Sequence, residues 1–283
     1  MAASLTITEF TDPACPWAFS AEPFRWKLDW MYGEEIDWDV KLVGLSENPE
    51  EALAKGFTPE VLAGAFAMIG REHKMPITTA VPERMAASIP ACRAVVAARL
   101  NAPEQMRALL RALRLRTFRG ELLDAEETIA GAAADAGLDP GELRAWMAED
   151  ATQAALDEDM AAARQPTPAA LVQDERLADW SGGRRYTCPS YELENTEGTH
   201  LSAPGFQPFR VYDMATANLL PGVARRPKPE TVTELLAWAG TALATQEVAV
   251  VCELSLEEAR EALSAVATEE PVGADGYWTL NAA

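Results

Sequence analysis

One stretch, Thr11-Asp12-Pro13-Ala14-Cys15-Pro16-Trp17-Ala18-Phe19-Ser20, limits most narrowly how this chain can fold. It follows Leu5-Thr6-Ile7-Thr8-Glu9-Phe10, in which apolar and polar side chains alternate as in a half-buried strand. Asp12-Pro13 ends that strand. The apolar positions Trp17, Phe19, Phe24, Trp26, Leu28 and Met31 then predict a helix, with Pro16 in its first turn, where a missing N–H leaves no hydrogen bond unmade. Cys15 is therefore expected at the helix N-terminus. Free backbone donors and the positive end of the helix dipole favour a thiolate there, and the thiolate is the nucleophilic form of cysteine. The competing reading is a buried cysteine that packs as a small apolar side chain.

A chain of 283 residues can bury a large core, as one elaborated domain or two small ones. Its net charge of -20 argues against a nucleic-acid partner, because a phosphate backbone would be repelled and not neutralised. Cys15, Cys92, Cys188 and Cys252 have no short paired spacing, so neither a disulfide framework nor a zinc site is supported. Only His73 and His200 are available, which leaves metal sites and His-based triads poorly supplied. No basic and apolar leader of signal-peptide type opens the sequence, and no apolar run approaches the ~18 residues a membrane span needs. A cytoplasmic protein with reduced thiols and no membrane partner is expected.

Ile36 to Val43 alternates again and predicts a second strand, in parallel with the first. From about Asn48 to Asp179 the sequence is alanine-rich and amphipathic. Helices are expected from Thr58-Pro59, from about Glu83 to Leu100, from Glu104 to Thr117, from Asp124 to Gly137 and from Asp139-Pro140 onward. Nothing in this region carries obvious chemistry. Residues 184–201 are irregular and polar and read as a long loop or hairpin. Cys188-Pro189 within them does not precede a helical pattern, so Cys188 is the weaker redox candidate, and His200 reads as a surface histidine. Phe209 to Tyr212 and Ala217 to Leu220 are expected to pair as a hairpin that completes the sheet, with a terminal helix from Pro229 through Trp238. Residues 241–283 suggest two helices and a hairpin, an order generic to winged helix-turn-helix modules. One basic residue there, Arg260, against eight acids excludes the basic footprint of a DNA reader, so the module is read as serving packing or dimerisation.

A strand, then Asp-Pro-x-Cys-Pro-Trp, then a helix resembles the active-site entry of the DsbA-like thioredoxin-fold family, particularly its FrnE-like cytoplasmic branch. The resemblance spans about residues 4 to 240. It implies an α/β thioredoxin-like domain from residues 1–47 and 181–240, an inserted α-helical domain over 48–180, and outside it the small C-terminal winged-helix-like module over 241–283. The family motif is Cys-Pro-Trp-Cys, and here its fourth position is Ala18. The family also carries a cis-proline loop facing the cysteine, and Gly205-Phe206-Gln207-Pro208-Phe209-Arg210-Val211-Tyr212-Asp213 resembles it. Gln207-Pro208 is accordingly expected to be the cis bond.

The site implied by this resemblance has Cys15 as nucleophile, supported by Pro16, Trp17, Ala18, Gln207 and Pro208, without a metal or tightly bound cofactor. Thiol–disulfide exchange needs a second thiol to resolve the mixed disulfide, and Ala18 cannot supply one. Monothiol oxidoreductase chemistry on thiol or disulfide substrates is then expected, with glutathione or mycothiol as the resolving partner. Two alternatives stay open. One is thiol-cofactor chemistry like that of the kappa-class glutathione transferases and 2-hydroxychromene-2-carboxylate isomerases, which share the fold. The other is a non-catalytic binding protein.

Overall fold

The computed structural model describes residues 3–54 and 56–281. The expected opening strand is β1 (Leu5–Thr11), and it leads to α1 (Pro16–Ser20) and α2 (Glu22–Tyr32). The single helix expected through Met31 is thus two, because Pro23 has no N–H to return to the preceding turn and the chain resets at Ala21. β2 (Ile36–Leu42) pairs in parallel with β1, Leu5 opposite Ile36 and Thr11 opposite Leu42.

Eight helices follow: α3 (Pro49–Ala54), α4 (Pro59–His73), α5 (Ile89–Asn101), α6 (Pro103–Arg119), α7 (Glu126–Asp135), α8 (Pro140–Met147), α9 (Asp150–Ala163) and α10 (Pro168–Leu171). Their starts obey capping chemistry: the Thr58 hydroxyl accepts from the Val61 N–H at 3.3 Å, and the Asp139 carboxylate accepts from Glu142 N–H at 2.9 Å. α5 begins at Ile89 and not near Glu83, because Ser88 is held outside the helix, its N–H donating to Ser46 O at 2.9 Å. Val40 and Leu42 of β2 pack into the core of these helices with Val95, Leu109, Leu113 and Leu156.

After a short hairpin, β3 (Ala178–Trp180) and β4 (Gly183–Arg185), come β5 (Ser190–Asn195) and β6 (His200–Ala203). The main sheet has the order β2-β1-β5-β6, with β5 antiparallel to both β1 and β6. The hairpin expected over Phe209–Leu220 is instead one helix, α11 (Phe209–Leu219). Its Phe209, Tyr212, Ala215 and Leu219 recur at helical spacing and close one face of the sheet with Leu5, Ile7 and Leu193. The alternation that completes the sheet lies upstream, in Ser190-Tyr191-Glu192-Leu193-Glu194.

The remaining elements are α12 (Val232–Ala239), β7 (Leu243–Ala244), α13 (Thr245–Cys252), α14 (Leu256–Ser264), β8 (Ala267–Val272) and β9 (Asp275–Leu280), the three strands forming a second sheet in the order β7-β9-β8. They pack on α2, where Trp30 is buried among Leu235, Val248, Leu263 and Trp278. The turn between β8 and β9 seats against the helical region: Gly273 has φ +60°, and a Cβ there would lie 2.1 Å from the Ile77 carbonyl oxygen, so only glycine fits. Among the described residues no helix is long and apolar enough to cross a membrane.

An ionic cluster links these parts. Arg111 of α6 donates to both carboxylate oxygens of Glu247 in α13, each at 2.7 Å, and pairs with Glu22 of α2. Arg114 donates to Glu22 at 2.6 Å and to the Thr11 hydroxyl of β1 at 2.5 Å, and lies 3.5 Å from Glu9. Burial alone would lift Glu22, but the two guanidiniums outweigh it and hold its carboxyl below the ordinary range. For Glu247 burial wins over Arg111, and its carboxyl is raised.

Removing one partner from such a cluster strands a buried charge, whereas an exposed pair contributes little. Arg111→Met is expected to destabilise the protein by roughly 3–5 kcal/mol in urea denaturation. Arg107→Met, which removes the partly exposed pair with Asp29, should cost about 1 kcal/mol or less. Equal losses in the two variants would show that the cluster is not what joins the parts.

Candidate functional site

The loop between β1 and α1 is built around Asp12. Its Oδ1 accepts from Ala14 N–H at 2.9 Å, while its Oδ2 accepts from Leu45 N–H at 2.8 Å and from the Ser88 hydroxyl at 2.9 Å. One carboxylate therefore ties the loop to the end of β2 and to the start of α5. The Cys15 N–H donates to Asp12 O at 3.1 Å, and Cys15 occupies the N-cap of α1 with Pro16 in the first turn, as expected. Ala18 lies beneath it, only 2% exposed, and carries a methyl group where a second thiol would be needed for local resolution.

The segment facing Cys15 is not the expected one. The cis peptide bond among the described residues is Cys188-Pro189, at the entry to β5, and Gln207-Pro208 is not cis. Pro208 instead caps α11 with φ -61° and ψ 146°, an extended conformation suited to a helix start. Gln207 is a buried turn residue: its N–H donates to the Tyr212 hydroxyl at 2.8 Å and its side-chain amide to Pro204 O at 2.9 Å. That loop borders the site through Phe206. The Phe206 ring lies 5.7 Å from Trp17 and 4.6 Å from His73, and Trp17 and His73 are 4.9 Å apart, so three rings form one wall beside the helix start. His73 sits in the last turn of α4, and burial lowers its pKa.

Cys15 and Cys188 share one apolar cluster with Phe10, Ala18, Val43 and Tyr186. The Cys15 thiol donates to the Cys188 carbonyl oxygen at 3.3 Å. When Cys15 is ionised, its main stabilisation is a hydrogen bond from the Cys188 thiol, followed by the N–H groups of Ala18 and Trp17. These outweigh burial and the repulsion of Asp12, and the Cys15 pKa is lowered. The other thiols move the opposite way. Burial pushes Cys92 and Cys188 well above the ordinary value, and Cys252 up to about 11. The direction for Cys15 is the one expected, and its causes include Cys188 across the site as well as the helix start.

Of the residues brought to this site, His73 was not expected there, and Cys188 was read only as the weaker redox candidate. Cys188 was readable in principle, since a Cys-Pro step followed by the alternation Ser190 to Glu194 announces a strand. His73 carries no such signal, because its place beside Trp17 depends on how α4 folds back.

Alkylation of the intact protein should modify Cys15 first, with a midpoint below that of a free thiol. Cys188→Ala removes the leading donor, so the Cys15 pKa should rise; each unit of rise lowers the thiolate fraction at neutral pH about tenfold. An unchanged alkylation profile in Cys188→Ala would contradict the donor role.

Residues 6–193 match the family model of the DSBA-like thioredoxin domain. The ClpXP adapter protein SpxH of Shouchella clausii (strain KSM-K16) is 28% identical over 279 residues, which cover 96% of this chain and 86% of that protein. A protein from Nitrosomonas europaea assigned as a protein disulfide isomerase superposes with a TM-score of 0.57 at 16% identity, covering 77% of this chain and all of the other. The cytosolic disulfide reductase DsbM from Pseudomonas aeruginosa, solved alone and with GSH, superposes with a TM-score of 0.51; without GSH the identity is 18%, over 76% of this chain and 99% of that one. Both structures share the fold of this chain. With the family match running from β1 into β5, through both Cys15 and Cys188, this chain belongs to the DSBA-like thioredoxin domain family.

Proposed function

We propose that the protein is a cytoplasmic thiol–disulfide oxidoreductase whose single nucleophile is Cys15, and that its turnover depends on a low-molecular-weight thiol such as glutathione or mycothiol. The observation that carries this reading is the placement of Cys15 at the N-cap of α1, directly before Pro16 and Trp17; with it, the Cys15 pKa is lowered while those of Cys92, Cys188 and Cys252 are raised. A thiolate is the attacking species, so chemistry concentrates on that sulfur. Pro16 opens the helix beneath Cys15, and Trp17 with Phe206 and His73 walls one side of the approach. Ala18 has no sulfur to release the product, hence the need for a small thiol. The structure of DsbM with GSH supports glutathione as a first candidate.

A second reading follows from the relative named a ClpXP adapter protein, whose match covers 96% of this chain and so includes the C-terminal elements. In that reading the protein delivers a bound partner to a protease, and Cys15 is a structural residue.

The two readings diverge on one substitution. With a mixed disulfide of glutathione as substrate, the wild type should turn over only when free thiol is supplied, and Cys15→Ser should abolish turnover. Ala18→Cys should raise insulin-type disulfide reduction, since that position lies one helical turn from Cys15. If the wild type shows no thiol exchange, and both it and Cys15→Ser accelerate degradation of a partner by a ClpXP-type protease, the adapter reading replaces this one.

A further inference from the structure

Ala18 removes the usual resolving position, yet a second thiol stands against Cys15 from the other side of the site. Cys15 Sγ reaches the backbone carbonyl of Cys188 at 3.3 Å, so the two residues meet directly across the site. Both belong to one buried cluster. Cys92 is instead turned toward Asp12 Oδ2 at 3.5 Å, and Cys252 packs in the cluster around Trp30 and Trp278.

The Cys188 segment is fixed in place. The Tyr186 N–H donates to Ala163 O at 2.9 Å, the Thr187 hydroxyl to Arg176 O at 2.8 Å, and the Ser190 hydroxyl to Thr187 O at 2.7 Å, with Gly205 N–H donating back to Ser190 at 2.9 Å. A thiol held this way has little conformational freedom left to lose on closing a bond.

We infer that Cys188 is the internal resolving thiol of this site, closing a Cys15–Cys188 disulfide across the cleft in place of the missing thiol at position 18. The inference rests on Cys15 being the nucleophile, and it moves the small thiol to a later step. In the first step the Cys15 thiolate attacks a disulfide R–S–S–R′, forming Cys15–S–S–R and expelling R′–S⁻. Cys188 then gives up its proton and attacks the Cys15 sulfur, forming the Cys15–Cys188 bond and releasing R–S⁻. The substrate disulfide has gained two electrons, the two cysteines have lost two, and their protons end on the two released thiols. Two molecules of a small thiol reduce the internal bond and return both cysteines, leaving as their own disulfide.

The electrostatics set the order. Burial is what holds the Cys188 proton most strongly, and its hydrogen bond and charge repulsion with the Cys15 thiolate come next, with Arg185 pulling the other way. Once Cys15 carries a disulfide sulfur its charge is gone, and with it the second and third of those restraints. Occupation of Cys15 thus eases the loss of the Cys188 proton, while burial still opposes it.

Oxidised glutathione is the probe for this, with intact mass and a non-reducing peptide digest as readouts on the full-length protein. The wild type should pass through a short-lived glutathione adduct at Cys15 and end with the Cys15 and Cys188 peptides joined. Cys188→Ser should hold the adduct at least about tenfold longer, because only free glutathione can then displace it. An adduct that persists equally in both proteins, with no joined peptides in the wild type, overturns the inference while leaving Cys15 as nucleophile. No adduct on Cys15 in either protein overturns both. The wild-type digest decides the matter alone should Cys188→Ser fold poorly.

Discussion

The pairing of Arg111 and Arg114 with Glu22 and Glu247 is the constraint on which the assembly of the chain rests. Four regions distant in sequence contribute to it: β1 through Glu9 and Thr11, α2 through Glu22, α6 through both arginines, and α13 through Glu247. Each charge has lost its water, so each depends on the others for its solvation. Apolar packing of the C-terminal elements on Trp30 and α2 could be satisfied in more than one register. A planar guanidinium donating to both oxygens of one carboxylate admits a single orientation.

At the site, the physics is a contest over one negative charge. Cys15 is 6% exposed, and burial alone would protonate it. Asp12, which anchors the loop through three hydrogen bonds, adds repulsion. The anion is favoured because donors converge on it from two directions: the Cys188 thiol across the cleft, and the N–H groups of Ala18 and Trp17 from below. Such a site is sensitive to its neighbour's chemical state, since whatever alters Cys188 alters the acidity of Cys15. A proline-opened helix with no thiol in its first turn can therefore still favour a thiolate at its N-cap.

Much of this was legible before the fold was known, for local reasons. The alternation in Leu5 to Phe10 and Ile36 to Val43 gives two strands; the proline after Cys15 gives a helix start; Thr58 and Asp139 give helix caps that form as read. The error at Pro208 was also local in origin. Two X-Pro steps, Cys188-Pro189 and Gln207-Pro208, lie nineteen positions apart before stretches of mixed polarity, and resemblance favoured the second. A few apolar residues near Phe209 fit either a strand or a helix, and Tyr212, Ala215 and Leu219 decide it only when there is a sheet face for them to cover.

The sequence by itself determined the elements that depend on neighbouring residues: the strand, turn and cysteine-capped helix at the start, the alanine-rich helices, and the absence of a thiol at position 18. Tertiary structure alone decided which proline faces the cysteine, which thiol supports its charge, and that His73 and Phe206 wall the approach. The physical reason is range. Capping, periodicity and proline geometry act over one or two turns of chain, whereas the Cys15–Cys188 contact joins residues 173 positions apart and the Arg111–Glu247 pair residues 136 apart, and such contacts exist only once the sheet has brought their strands and helices together.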